Sequence, residues 1–270
     1  MENAYDTRVV TYEHITSFPE DTFEKMVEIV RPQEGQHILD VGAGYGPVTQ
    51  AILKRFPQVK IHYYLLEKSP VQLGRAIEAI SKLRGEGTHD GYFHFLNHPM
   101  DQSTLPESSL DTIIGKMIIH EMPEEKQLPA VQEMCRILKP GGTFYLWQTI
   151  LDDETVTFFR NLMRKKDELA GYYSMVQDRH FVTEETFYFL FEQAGFTAWK
   201  KEQEFDYHLN SRNRLASEFK NDESKLEEWH AYIQGMVEER GEAFARRIQF
   251  SINDGNLSLS LKQGIFSASK

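Results

Sequence analysis

The sequence predicts an α/β fold in which a parallel sheet carries helices on both faces, and three observations predict it. Short apolar runs alternate with amphipathic stretches of helical length from Thr22 to Leu151. The run His37-Ile38-Leu39-Asp40-Val41 breaks into Gly42-Ala43-Gly44-Tyr45-Gly46, and a helix follows, as where a buried strand feeds a ligand-binding turn. Farther along, Lys139-Pro140-Gly141-Gly142 is a strong helix stop ahead of another apolar run.

Each element has its own local reason. Thr22 to Val30 is amphipathic, with Phe23, Met26, Val27 and Val30 on one helical face and Pro32 just beyond. Ile38, Leu39 and Val41 make the first strand, and Val48 to Phe56 the helix whose free N–H groups point back at the turn. Lys60 to Leu66 reads as the second strand, Ser69 to Leu83 as the second helix of the alternation and Tyr92 to Leu96 as the third strand. Leu110 to Ile119 supplies a fourth strand, Glu124 to Leu138 a helix, and Thr143 to Leu151 a fifth strand. Right-handed crossovers then set the topology. Asp152 to Ala170 reads as a helix, Gly171 to Phe181 as an aromatic loop, and Thr183 to Ala194 as a helix capped by Thr183 and ended by Gly195. Phe196 to Leu209 is expected as a strand, Ser211 to Phe250 as one or two charged surface helices, and Ser258 to Ala268 as a last strand.

Length and charge narrow the function classes. At 270 residues one domain with an appendage is expected. Residues 1–30 would be an N-terminal helical cap, 31–209 and 257–270 the sheet-bearing core, and 210–256 a helical insertion acting as lid or interface. A formal net charge of -11 argues against binding nucleic acid by neutralising phosphates. The N-terminus lacks the basic start and apolar run of a signal peptide, and no apolar stretch approaches spanning length, so a cytoplasmic protein with no membrane partner is expected. The single cysteine, Cys135, excludes an internal disulfide and falls at helical spacing with Val131, Met134 and Leu138, as a core residue would.

Two ligand classes use a turn like Gly42 to Gly46. A dinucleotide site wants a third glycine where Pro47 stands. Asp40, just before the turn, would oppose a pyrophosphate and attract a cationic ligand. S-adenosylmethionine carries an ammonium and a sulfonium, so it fits better than NAD. Glu67, following the second strand, stands where a carboxylate can accept from both ribose hydroxyls, a device NAD sites share. Asp101, with Gln102 beside it, could accept from an adenine amine; a solvated turn carboxylate is the plain alternative.

Leu39 to Gly46, Glu67, Asp101 to Pro106 and Arg136 to Gly142, in this order and spacing, resemble the class I S-adenosylmethionine-dependent methyltransferases over about Glu24 to Phe196. The resemblance implies a Rossmann-like seven-stranded sheet, mostly parallel, whose last strand runs antiparallel. It implies S-adenosylmethionine as cofactor, with Gly42, Gly44 and Gly46 bordering its methionine part, Glu67 its ribose, and Asp101 with Gln102 its adenine. Lys116, at the end of strand four, joins this set. The link Leu96 to Met100 is longer than the family's usual one, which leaves Asn97 as the alternative adenine contact.

In an open α/β sheet the reacting ligand lies beyond the carboxyl ends of the strands. His120-Glu121, after strand four, is the first candidate for proton removal, with Glu121 orienting or charging the imidazole. Tyr12 and Tyr172, from aromatic clusters that also include Tyr5, Phe18, Tyr173 and Phe181, are candidates to cover an acceptor or simply to pack the appendage. Arg212, Arg214, Arg246 and Arg247 could meet an anionic substrate group, though arginines on charged surface helices are usually solvated, and the spacing of His89, His94 and His98 with Asp90 and Asp101 does not favour a metal. The expected activity is methyl transfer to oxygen, carbon or nitrogen of a small-molecule metabolite, with no nucleic acid as partner. The alternatives are another reaction on the same cofactor, such as a cyclisation, an NAD-dependent oxidoreductase, and a silent binding protein. The long charged segment offers surface for a homodimer contact.

Overall fold

The computed structural model describes residues 4–7, 20–85 and 91–270, so Tyr12, Phe18, His89 and Asp90 lie outside the described residues. Helix α1 (Ala4–Thr7) is a single turn; α2 (Glu20–Val30) leads into β1 (His37–Val41). Then come α3 (Pro47–Arg55), β2 (His62–Leu66), α4 (Pro70–Gly85), β3 (Tyr92–Leu96) and β4 (Leu110–Lys116). Helix α5 (Glu124–Ile137) passes directly into β5 (Leu138–Ile150), so the Lys139 to Gly142 stop is the first part of a strand rather than a loop. The strands run in the order β3-β2-β1-β4-β5-β8-β6, where β6 is Ala198–Asn210 and β8 is Asn256–Ser269. The first five pair in parallel, and β8 lies antiparallel between β5 and β6.

One strand exceeds the seven expected: β7 (Ser251–Asn253) folds back on β8. Its two-residue connection is Asp254-Gly255, with φ of 50° and 69°, the left-handed pair that a tight hairpin turn demands. The segment Gly171 to Phe181 is not all loop either. Gly171 caps helix α6 (Asp153–Ala170) at φ 80°, and the chain re-enters a short helix α7 (Tyr173–Asp178). The fourth strand stops at Lys116, three residues early, because Met117 takes a left-handed φ of 53° and Ile119–Glu121 turns as a 3-10 helix.

Alternation along the strands divides the core. Ile38, Ile114 and Trp147 point to the face covered by α2, α3 and α4, whereas Leu39, Val41 and Phe144 point to α5 and α8 (Glu184–Ala194). Cys135 is buried in this second layer. A third apolar cluster joins α6 to α10 (Glu223–Arg247) over the far ends of β6 and β8, with α9 (Arg212–Ser217) as the connection. Trp229 of α10 is fully buried there and donates its indole N–H to the Leu162 carbonyl. Among the described residues no helix is long and apolar enough to cross a membrane.

Candidate active site

The carboxyl ends of β1, β2, β4 and β5 open on a cleft of about 640 Å³, within the usual range for a cofactor or drug-sized ligand. Its floor is the turn after β1. Gly42 has φ 65°, and a Cβ there would stand 2.4 Å from Ile118 Cδ1, so only glycine lets this backbone run under the segment after β4. Asp40 lines the cleft and is 4 % exposed. Its Oδ2 accepts from Thr49 Oγ1 at 2.7 Å and from Thr49 N–H at 3.2 Å, which fixes the carboxylate against the first turns of α3. Burial pushes the Asp40 carboxyl up to about 6, only partly countered by Thr49. Lys116 stands opposite, its Nζ 4.9 Å from the centre of the Trp147 ring. Burial brings its ammonium down to about 8, against the pull of Asp40.

Glu67 is the second buried carboxylate of the cleft, at 6 % exposure. Its Oε2 accepts from Gly44 N–H at 3.0 Å and its Oε1 from Ser69 N–H at 2.8 Å. One side chain thereby ties the turn after β1 to the start of α4, with second lone pairs left for a ligand's hydroxyls. Burial raises its carboxyl above the ordinary glutamate value despite those two donors. Asp101 and Gln102 line the adjoining wall, where Asp101 accepts from Lys126 Nζ at 2.8 Å. Asn97 does not line the cleft; it donates to the Glu67 and Lys68 carbonyls and so braces the backbone after β2.

Two further residues expected at the site are elsewhere. Gly46 does not line the cleft. It caps α3 at φ 73°, the left-handed region that favours glycine, while a Cβ on it would only touch Leu65 and Ala76 at an ordinary 3.4 Å. Tyr172 is buried against Met175 and Tyr5 outside the cleft, a packing residue at the α6–α7 corner.

His120 and Glu121 do line the cleft. The imidazole is 4 % exposed and stacks on Phe181, ring centres 4.3 Å apart. Its Nδ1 lies 3.0 Å from the Gln148 side-chain amide and its Nε2 3.5 Å from Glu121 Oε1, so both ring nitrogens face polar groups. Glu121 is held as a carboxylate beside the imidazole. Its burial alone would raise the carboxyl, but Arg179 holds it well below the ordinary value through Nε–H to Oε2 at 2.6 Å and Nη2–H to Oε1 at 2.7 Å. Tyr5 donates to the same carboxylate.

Sequence reasoning missed what lies behind this pair. Arg179 also donates to Asp167 at 2.7 Å, Lys166 bridges Asp167 and Glu218, and Arg214 joins Glu218 at 2.8 Å to the Tyr207 hydroxyl at 3.0 Å. Arg214 is therefore not a solvated surface arginine: it lines the cleft, while Arg212, Arg246 and Arg247 pair with surface carboxylates. The available signal was Lys166, which continues the apolar stripe of Phe159 and Leu162 at helical spacing.

Two buried carboxylates facing a glycine turn oppose a pyrophosphate and suit a cation bearing a ribose, which fits S-adenosylmethionine and not NAD. Fold and site together define a Rossmann-like methyltransferase. Residues 38–142 match the family described as Methyltransferase domain, and over that stretch the chain is similar to the class I S-adenosylmethionine-dependent methyltransferases. It is 26% identical over 208 residues to a tRNA N(3)-methylcytidine methyltransferase of Schizosaccharomyces pombe, covering 74% of this chain and 75% of that one. It is 24% identical to an uncharacterized methyltransferase of Geobacillus kaustophilus, covering 72% and 85%. The crystal structure of YcgJ from Bacillus subtilis shares the fold, with TM-score 0.71, 18% identity and coverage of 92% of this chain and 97% of that one.

Cofactor affinity should depend on pH through Asp40. Its carboxyl titrates at about 6, and only the ionised form attracts an ammonium or sulfonium. Affinity for S-adenosylmethionine should rise as pH climbs through about 6, falling by up to about tenfold per unit below it. Calorimetry from pH 5 to 8 checks this, and Asp40→Asn should both weaken binding and erase the step.

Proposed function

We propose that the chain moves a methyl group from S-adenosylmethionine to oxygen, carbon or nitrogen of a small-molecule acceptor. The carrying observation is the composition of the cleft beyond His120. Phe159, Met163, Phe181 and Leu209 line it together with Tyr207 and Arg214, from α6, β6, α9 and the segment between α7 and α8, all outside the matched residues 38–142. Apolar walls with a few fixed polar groups suit a small acceptor excluded from water. The arginines there are committed to carboxylates, unlike a phosphate-binding surface, and the net charge of -11 repels a polyanion.

The cofactor supplies an electrophilic methyl group; Asp40, Glu67 and Asp101 would hold its cationic, ribose and adenine parts. The protein's contribution is to hold the acceptor in line at near-attack distance, a term worth roughly 7–11 kcal/mol in good cases. His120 Nε2 takes a proton where the acceptor must lose one, while Gln148 and the Phe181 ring keep the imidazole oriented.

The test compares S-adenosylhomocysteine formation with two acceptor sources, a metabolite filtrate below about 1 kDa and purified bulk tRNA. Turnover with the filtrate is expected. Turnover with tRNA and none with the filtrate would replace the small-molecule reading with the tRNA-directed activity of the fission-yeast relative. With the productive acceptor, His120→Ala should lower turnover by about 10²–10⁴-fold and leave S-adenosylhomocysteine binding within about twofold. Full activity in that variant would end its role as base.

A further inference from the structure

The two edges of the sheet are built differently. Edge strand β6 carries Lys200, Lys201, Glu202, Glu204 and Asp206 and shifts register between Lys201 and Gln203, the devices by which proteins stop edges from pairing. The opposite edge, β3, reads Tyr92-Phe93-His94-Phe95-Leu96, with no Asp, Glu, Lys, Arg, Pro or bulge, and no strand among the described residues pairs with its outer side. Tyr92 N–H bonds inward to the Ile61 carbonyl, and the Leu96 carbonyl inward to Glu67 N–H. By strand alternation, Phe93 and Phe95 turn their N–H and C=O groups outward.

We propose that β3 is the interface between two copies of this chain, paired antiparallel about a two-fold axis through His94. Phe93 of one copy then exchanges both backbone hydrogen bonds with Phe95 of the other, and the aromatic rings meet as cross-strand neighbours. Helix α4 makes the pairing more than a ribbon. It is anchored over β2 and β3 by Leu73, Ala76 and Ile80, and Arg84 lies over the Phe93 ring at 5.3 Å. The axes of two such helices would stand about two strand spacings apart, about 9–10 Å, the distance of packed helices. Ile77, on the same face of α4 as Arg84, is 37 % exposed, and Tyr92, on the sheet face opposite α4, is 58 % exposed, so each face of this edge carries an exposed large apolar residue.

Charge points the same way. A chain of net charge -11 repels its copies over most of its surface. Helix α4, in contrast, carries Lys82 and Arg84 against the single Glu78 in its C-terminal half, its other basic residue, Arg75, lying over the Tyr45 ring. A strand of five residues cannot bury the roughly 1,200–2,000 Å² of a stable interface, so the flanking helices are required and the dimer is of moderate strength.

Sedimentation equilibrium on the full chain tests this, together with amide exchange at two protein concentrations. Wild type should dimerise with a midpoint between about 1 and 100 µM, with Phe93 and Phe95 amides better protected at the higher concentration. Tyr92→Lys/Ile77→Lys should weaken dimerisation at least about tenfold and abolish the concentration dependence, while S-adenosylhomocysteine binding shows that it is folded. A wild type that is monomeric at about 300 µM, or a dimer indifferent to both lysines, overturns the proposal.

Discussion

Glu67→Ala is expected to weaken S-adenosylhomocysteine binding by about 30- to 1,000-fold, more than any other single substitution in the cofactor half of the cleft. The carboxylate does two things at once. It accepts from Gly44 and Ser69 N–H groups, and it faces the cleft where two ribose hydroxyls would donate. Charge-assisted hydrogen bonds contribute about 1.5–3 kcal/mol each, and their loss also frees the turn that the carboxylate held. Glu67→Gln keeps the acceptor oxygen and the shape, so about tenfold is expected there. Asp101→Ala serves as the contrast: its carboxylate already binds the exposed Lys126 ammonium, and a loss of only a few-fold is expected. Calorimetry with S-adenosylhomocysteine at pH 7.5 measures all three. Binding by Glu67→Ala within twofold of wild type would remove the ribose from this position.

The cofactor half was legible in the sequence because its signals are local. Asp40, Gly42 and Gly44 sit within five positions of one another, and Glu67 follows its strand directly, so order along the chain nearly equals order in space. Gly46 shows the limit of that reasoning. Its spacing is that of a ligand-facing glycine, yet what it provides is the left-handed residue that starts α3, outside the cleft. The extra strand β7 was readable from Asp254-Gly255, the strongest short hairpin signal, but the charged run before it suggested helix up to Phe250 and drew attention away.

The acceptor half was illegible for a different reason. Arg179, Asp167, Glu218 and Arg214 come from α6, the segment after α7 and the α9 region, and only the packed fold makes them neighbours. Each alone is an ordinary charged residue in a charged segment. Their pairing also gives Glu121 a partner that the sequence did not show. A carboxylate next to a histidine suggests an orienting pair, and Glu121 does stand against His120 Nε2, with a guanidinium on both of its oxygens as well.

Removing that guanidinium is the second large effect expected. Arg179 is 5 % exposed at its side chain, and it joins Glu121, 15 % exposed, to Asp167, 1 % exposed. Arg179→Ala leaves Glu121 buried without its guanidinium and Asp167 with Lys166 alone, a change that costs about 3–5 kcal/mol for buried pairs and lowers the melting temperature by about 6–20 °C in a chain of this size. The sign with pH follows from Glu121. In wild type its carboxyl is held well below the ordinary value, so its contribution is present above the ordinary carboxylate range and is lost as pH falls toward the native value. Without Arg179 the depressing partner is gone and burial dominates, so protonation relieves the variant. The destabilisation should therefore be largest at pH 7.5 and shrink toward pH 5, which urea midpoints at the two pH values measure. Arg179→Lys keeps the charge but cannot fork to both oxygens of Glu121 and reach Asp167, and an intermediate loss is expected. Arg212→Ala, which breaks an exposed pair with Glu223, should change stability by less than about 1 kcal/mol. Equal destabilisation of Arg179→Ala at both pH values would mean that its loss acts through packing, and that the charge of Glu121 is held by other partners than the guanidinium.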